Sequence, residues 1–154
     1  MTIELDFEFN GILDYDTELI RCVSHTLDGA IAVGFSITGD TARFYDSSAG
    51  VNKEHLISLN LVEGKRVRLS YVIEPNNGTI AYPMIYAYVN GKLSAAAIYK
   101  GAFISSLGFP ATLNISSEAA QVNIYGIRFY STALNNQMIL NNYTASLDLL
   151  EERE

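Results

Sequence analysis

Glu4, Asp6 and Glu8 alternate with Leu5 and Phe7 near the start of the chain. If this stretch is a strand, the E-x-D-x-E spacing places three carboxylates on one face, with successive members about 6.5–7 Å apart. Retaining glycosidases place two carboxyl groups roughly 5–5.5 Å apart about the scissile bond, so glycoside hydrolysis is the chemistry these residues could do. The competing reading is a solvated face of an edge strand, where charge discourages edge pairing. The chain has no tryptophan, a side chain that glycan clefts use to stack sugar rings. No other residues supply an evident cleft lining.

Other reactive residues are sparse. His25 and His55 fall in a turn and at a strand start, without HxH, HExxH or Cys/His spacing, so no zinc site is expected. His25 with Ser24 and Asp28 makes no recognisable triad. Cys22 is the one cysteine; it sits in an apolar strand pattern, which suits a buried thiol. Asp14, Asp16, Glu18, Asp28, Asp40 and Asp46 place oxygen ligands in expected loops. Calcium takes six to eight oxygens, so Ca2+ is an open cofactor, with solvated loop acids as the alternative. Asn77, Asn114 and Asn142 begin N-x-S/T triplets, which matter only in a chain secreted from a eukaryote.

Ten tyrosines are the unusual feature. In the strand expected over 83–90, Tyr86 and Tyr88 face away from Ile85, Ala87 and Val89. In the strand over 66–74, Arg66, Arg68 and Ser70 face away from Val67, Leu69, Tyr71 and Ile73. If these strands are neighbours, the tyrosines, arginines and serine form an amphipathic patch suited to stacking and hydrogen-bonding a sugar, or to a protein partner. The alternative is that this face is covered by the terminal helix or by another domain. Tyr86, Tyr88, Arg66 and Arg68, with the loops around Asp46 and Tyr82, are the candidate glycan-binding residues.

The elements that must position these groups are short strands. Alternation or apolar runs mark strands over 2–9, 18–24, 30–38, 41–45, 55–61, 66–74, 83–90, 93–99, 111–116 and 122–130. Turn chemistry punctuates them at Asn10-Gly11, Gly39-Asp40, 46–50, Glu63-Gly64 and 75–78. Asn90-Gly91 is the strongest hairpin signal. Strand 122–130 carries bulk on both faces and is expected inside a sheet. Ser131 or Thr132 is placed to cap a helix beginning at Ala133, with Leu134, Met138 and Ile139 on one stripe. The segment 145–154 is acidic and helical or frayed. Turns every 8–12 residues and the lack of βαβ units imply an all-β fold: an antiparallel two-sheet jelly-roll β-sandwich with a short C-terminal helix. The division is 1–131 for the sandwich and 132–154 for the helical segment.

Length and charge exclude several functions. A chain of 154 residues with 49% hydrophobic residues fits one globular domain that needs neither disulfide nor metal. A formal net charge of −7 opposes nucleic-acid binding and docking on anionic lipid. No signal-peptide pattern opens the sequence, and no apolar run approaches the ~18 residues of a membrane span.

Four stretches in order, TIELDFEF, GKRVRLSYVIEP, IYAYVNGKL and VNIYGIRFYSTALNNQMILNNY, resemble laminin-G-like, concanavalin-A-like domains. The resemblance is to the variant found in large structural proteins of bacteriophages and prophages. It implies a jelly roll usually without catalysis, binding glycans or mediating contacts within tail or surface proteins, some members with a rim calcium site. It implies a virion or extracellular cell-surface location, with a cell-surface polysaccharide and other domains of the parent as partners. A β-glucanase family of similar fold carries a strand resembling Glu4–Phe9, which implies the hydrolase alternative through Glu4, Asp6 and Glu8. The leading expectation is a non-catalytic carbohydrate-binding or adhesion module, with a purely structural protein-interaction domain next.

Overall fold

A computed structural model describes residues 1–11, 17–26, 29–38, 41–48, 51–59, 62–74, 83–98, 111–115 and 122–151. Ten strands and one helix lie within them, in the order β1 (Thr2–Phe9), β2 (Thr17–Thr26), β3 (Gly29–Thr38), β4 (Thr41–Ser48), β5 (Val51–Ser58), β6 (Arg66–Glu74), β7 (Met84–Val89), β8 (Lys92–Ile98), β9 (Ala111–Ile115), β10 (Val122–Tyr130) and α1 (Asn136–Glu151). No described helix is long and apolar enough to cross a membrane.

The strands form two five-stranded sheets, ordered β10-β1-β6-β7-β8 and β5-β4-β3-β2-β9. The chain falls into two compact units. One holds Met1–Glu8, Gly64–Tyr99 and Ile124–Glu154; the other holds Phe9–Glu63 and Lys100–Asn123.

In the second unit, β2 through β5 pair antiparallel in sequence order and β9 adds beside β2. Leu19, Ile20, Phe35, Ile37, Ala42, Phe44 and Ile57 are buried. Phe35 and Phe44, directly opposite across the β3–β4 pair, meet edge to face with centroids 5.4 Å apart, the arrangement the ring quadrupoles favour. Asp46 lies within β4, opposite Val33 and Lys53, rather than in a loop. The strand continues to Ser48 because β5 begins at Val51 and pairs back along it. Likewise His25 belongs to β2, paired with Ala30, and His55 to β5, paired with Phe44.

In the first unit, alternation decides one face. Ile3, Leu5, Phe7, Val67, Leu69, Tyr71, Ile73, Ile85 and Ala87 are all buried. On the opposite face Glu4 and Asp6 are buried rather than solvated as expected, and Arg68, Ser70, Val72 and Tyr88 are buried too, as the alternative of cover by the terminal helix had it. The cause is α1. Leu134 and Ile139 pack with Val72 and Tyr88, and Tyr86, Tyr130 and Ala133 flank them.

Two edge assignments reverse. β1 lies between β10 and β6, not at an edge, and β10 is the strand that ends the sheet. Bulk on both faces of β10 does not signal double cover: Tyr125 is 49% and Phe129 48% exposed.

The helix starts later than expected. Asn135 is its cap, with Oδ1 accepting from the Met138 backbone N–H at 2.9 Å and its carbonyl accepting from Ile139. Thr132 serves β1 instead. Thr2 Oγ1 donates to the Thr132 carbonyl at 3.0 Å and accepts from the Leu134 N–H at 2.9 Å. The lead-in is thereby tied to the sheet before the helix begins. Met138 turns outward, 47% exposed, so the buried stripe is Leu134 and Ile139 without it.

Candidate functional site

The antiparallel register of β1 and β6 sets Glu4 opposite Ser70, Asp6 opposite Arg68 and Glu8 opposite Arg66. The E-x-D-x-E face thus meets an R-x-R-x-S face as cross-strand pairs. Asp6 receives Arg66 Nε and Nη2 at 2.5 Å each and Arg68 Nη2 at 2.5 Å. Burial alone would push the Asp6 carboxyl upward. The hydrogen bonds and charges of the two guanidiniums together outweigh it and hold the carboxyl below the ordinary aspartate value. Arg66 is correspondingly raised, chiefly by its hydrogen bond to Asp6.

Helix α1 closes over this cluster. Arg68 Nη1 donates to the Asn142 carbonyl at 2.5 Å. The Asn142 side-chain amide donates to the two Glu4 oxygens at 3.3 and 3.4 Å and to the Tyr130 hydroxyl at 3.0 Å. Tyr130 in turn donates to Glu4 at 3.0 Å, Ser70 donates to Glu4 at 3.3 Å, and Arg128 stands 3.9 Å from it. Glu8 is half-buried and accepts from Tyr125 at 2.8 Å; Arg66 lies over the Tyr125 ring, 4.7 Å from its centroid.

This arrangement is a buried ionic network. Glu4 and Asp6 are 1% and 2% exposed, and their oxygens are engaged by arginine, serine, tyrosine and asparagine. Nothing resembling a cleft separates them. The Asn142 amide, used by Glu4 and Tyr130, is equally unavailable as a glycan acceptor. Arg68, expected on a ligand-binding patch, is buried at 1% and spent on Asp6 and Asn142.

The tyrosines behave differently. β6 and β7 are neighbours, with Val72 opposite Tyr86 and Ser70 opposite Tyr88. Tyr88 is buried, and its hydroxyl donates to Asn136 Oδ1 in the first turn of α1. Tyr86 is partly exposed; burial, then the charge of Glu74 beside it, raise its pKa. Where α1 begins, it leaves a pocket of about 570 Å3 over β6, β7 and β8. Tyr86, Tyr88 and Leu93 supply its apolar walls, and Glu74, Asn135, Asn136 and Gln137 its polar groups. Of the six candidate residues, then, the structure brings Tyr86 and Tyr88 to one concavity and commits Arg66 and Arg68 to the ion network. Asp46 lies in the other compact unit, and Tyr82 lies outside the described residues.

Glu74, Leu93, Asn136 and Gln137 were not among the expected site residues. Glu74 was legible, since it continues the Arg66-Arg68-Ser70-Val72 alternation on the tyrosine side. The asparagines and glutamine were not, because their place depends on how α1 docks. Among the described residues no group of three or more His, Cys, Asp or Glu could hold a metal ion. Asp14, Asp16, Asp28 and Asp40, raised above as calcium ligands, lie outside the described residues.

No protein-family model and no curated protein matches the sequence. Solved structures do match in three dimensions. The botulinum neurotoxin serotype D binding domain aligns with TM-score 0.62 at 10% identity, over 94% of this chain and 36% of that one. The CBM40 of a Ruminococcus gnavus IT-sialidase, solved with α2,3-sialyllactose, aligns with TM-score 0.60 at 12% identity, over 92% and 81%. A heptameric SAP-like pentraxin from Limulus polyphemus aligns with TM-score 0.56 at 12% identity, over 90% and 67%. The fold is a jelly-roll β-sandwich. At these identities the likeness is one of fold. This sandwich spans little more than a third of the neurotoxin binding domain it resembles.

Proposed function

We propose that this β-sandwich is a non-catalytic carbohydrate-binding module of a larger protein, and that the pocket beside Tyr86 is its glycan site. The observation that carries the reading is the pocket's composition. A partly exposed tyrosine ring and apolar walls stand beside a carboxylate and three side-chain amides, the mixture that a sugar's apolar and hydroxyl-bearing faces require. A neighbour of the same fold, covering most of both chains, was solved with a sialylated sugar, which adds support. A parent that is a phage tail or bacterial surface protein is part of the proposal, resting on the sequence resemblance. So is an extracellular or virion location; calcium stays an open cofactor, which the chelator wells below decide.

Catalysis through Glu4, Asp6 and Glu8 is not part of this reading. A general acid and a nucleophile must both reach the glycosidic bond, and Glu4 and Asp6 face arginines beneath a helix.

The test is binding of the purified protein to a panel of bacterial cell-wall and capsular polysaccharides, with calcium and with chelator, reading reducing-end release in the same wells. Expected are binding that Tyr86→Ala weakens by about tenfold or more, as loss of a stacking aromatic wall implies, and no sugar release. Release lost in Glu8→Gln would overturn the non-catalytic reading. Absence of binding across the panel would overturn the module's glycan role and leave a structural domain whose covered face serves internal packing.

A further inference from the structure

Among the described residues, Glu74 is the one charged group lining the Tyr86 pocket, and no lysine, arginine or histidine joins it there. We infer, building on the glycan reading above, that the pocket selects its sugar by charge, preferring amine-bearing to neutral and neutral to acidic residues, with Glu74 as the selecting group.

The hydrogen-bond inventory of the walls leads to this order. Glu74 and Tyr86 line the pocket together, and the carboxylate has lone pairs with which to accept from a ligand. The Asn136 side-chain oxygen accepts from Tyr88 and the Asn135 side-chain oxygen from the Met138 N–H, so what both chiefly offer is an amide NH2. Gln137 donates one amide N–H to Asn141 at 2.8 Å and has its second N–H left to donate and its carbonyl oxygen left to accept. The pocket thus presents the Glu74 carboxylate and the Gln137 carbonyl as acceptors and the amides of Asn135, Asn136 and Gln137 as neutral donors beside a tyrosine face, with Glu74 the one charge among them. Hydroxyl groups suit that set, and an ammonium suits it better, because it would meet Glu74 in a charge-assisted hydrogen bond next to an aromatic ring. A sugar carboxylate would meet Glu74 as a like charge.

The start of α1 works weakly the other way, since backbone N–H groups there favour anions. The Asn135 side chain already caps the Met138 N–H, and the segment Asn136–Glu151 carries no lysine or arginine that would reinforce the effect. The formal net charge of −7 adds a repulsion that acts on every acidic ligand before it arrives.

This differs from the ligand of the structurally similar CBM40, which was solved with a sialylated sugar. The test compares oligomers of glucosamine, the corresponding N-acetylglucosamine oligomers and α2,3-sialyllactose by calorimetric titration against the wild type, Glu74→Gln and Tyr86→Ala. Expected is a preference for the amine-bearing oligomer over its acetylated counterpart of roughly tenfold, the scale of one charge-assisted hydrogen bond. Sialyllactose should bind weakest. Glu74→Gln should erase the amine preference, and rising salt should erode it in the wild type, a readout that needs no variant. Sialyllactose binding as tightly as the amine oligomer, and lost in Tyr86→Ala, would overturn charge selection while the glycan site stood. The same holds for an order unchanged in Glu74→Gln. Failure of every sugar, here and across the polysaccharide panel, would overturn both readings.

Discussion

Asp6 carries two guanidiniums, and one of them has nowhere else to go. Arg68 is buried, with its remaining bond to a helix carbonyl, whereas Arg66 reaches solvent and can leave its partner. Replacing Asp6 with asparagine therefore strands one buried positive charge. Breaking a buried pair by removing one member costs about 3–5 kcal/mol, and about 3 is expected here because Arg66 can rehydrate. A urea midpoint shift in Asp6→Asn measures it. The same carboxyl sets an acid limb. Its folded pKa lies below the ordinary value of 3.8, so its contribution is fully present above that value and is lost as pH falls through the folded pKa. Stability measured by urea unfolding between pH 5 and pH 2, a range of order the ~2–3 pH units over which such a group titrates, should fall steeply in the wild type and less steeply in Asp6→Asn.

The helix and the β7–β8 hairpin are fitted to each other at the scale of elements. Asn90 and Gly91 both have positive φ, 50° and 76°, as the tight hairpin turn requires. A Cβ on Gly91 would stand 3.1 Å from Leu140 and 3.2 Å from Tyr143 on α1. Gly91→Ala should thus strain the backbone and push on the helix together, lowering stability by about 1–3 kcal/mol. Thermal unfolding would register it, and an unchanged midpoint would mean that α1 does not rest on the hairpin. Asn135→Ala removes the helix cap and should cost about 1 kcal/mol.

Much of this level was legible. Alternation placed β1, β6 and β7, and Asn90-Gly91 announced the hairpin, because period-2 patterns and turn residues are local signals. What alternation cannot state is what covers a face. The carboxylates of β1 looked solvated because their arginines lie about sixty residues further on, and strand order is decided by pairing, not by composition. Ser131 and Thr132 looked like caps because they have the right chemistry, yet Thr132 is held by Thr2. The pocket was half legible: Tyr86 and Tyr88 from their strand, but not the asparagine and glutamine that α1 brings over them.

For the molecule as a whole, one jelly-roll sandwich carries an ionic network that fixes a helix and, where that helix begins, the concavity proposed as the sugar site. A glycan bound by this domain should sit in that concavity. The most direct measurement is an amide chemical-shift titration with the tightest-binding polysaccharide fragment from the panel. The largest shifts should fall on Glu74, Tyr86, Leu93, Asn136 and Gln137, with Glu4, Asp6 and Arg68 nearly still. Shifts centred elsewhere, with those five residues unmoved, would contradict it.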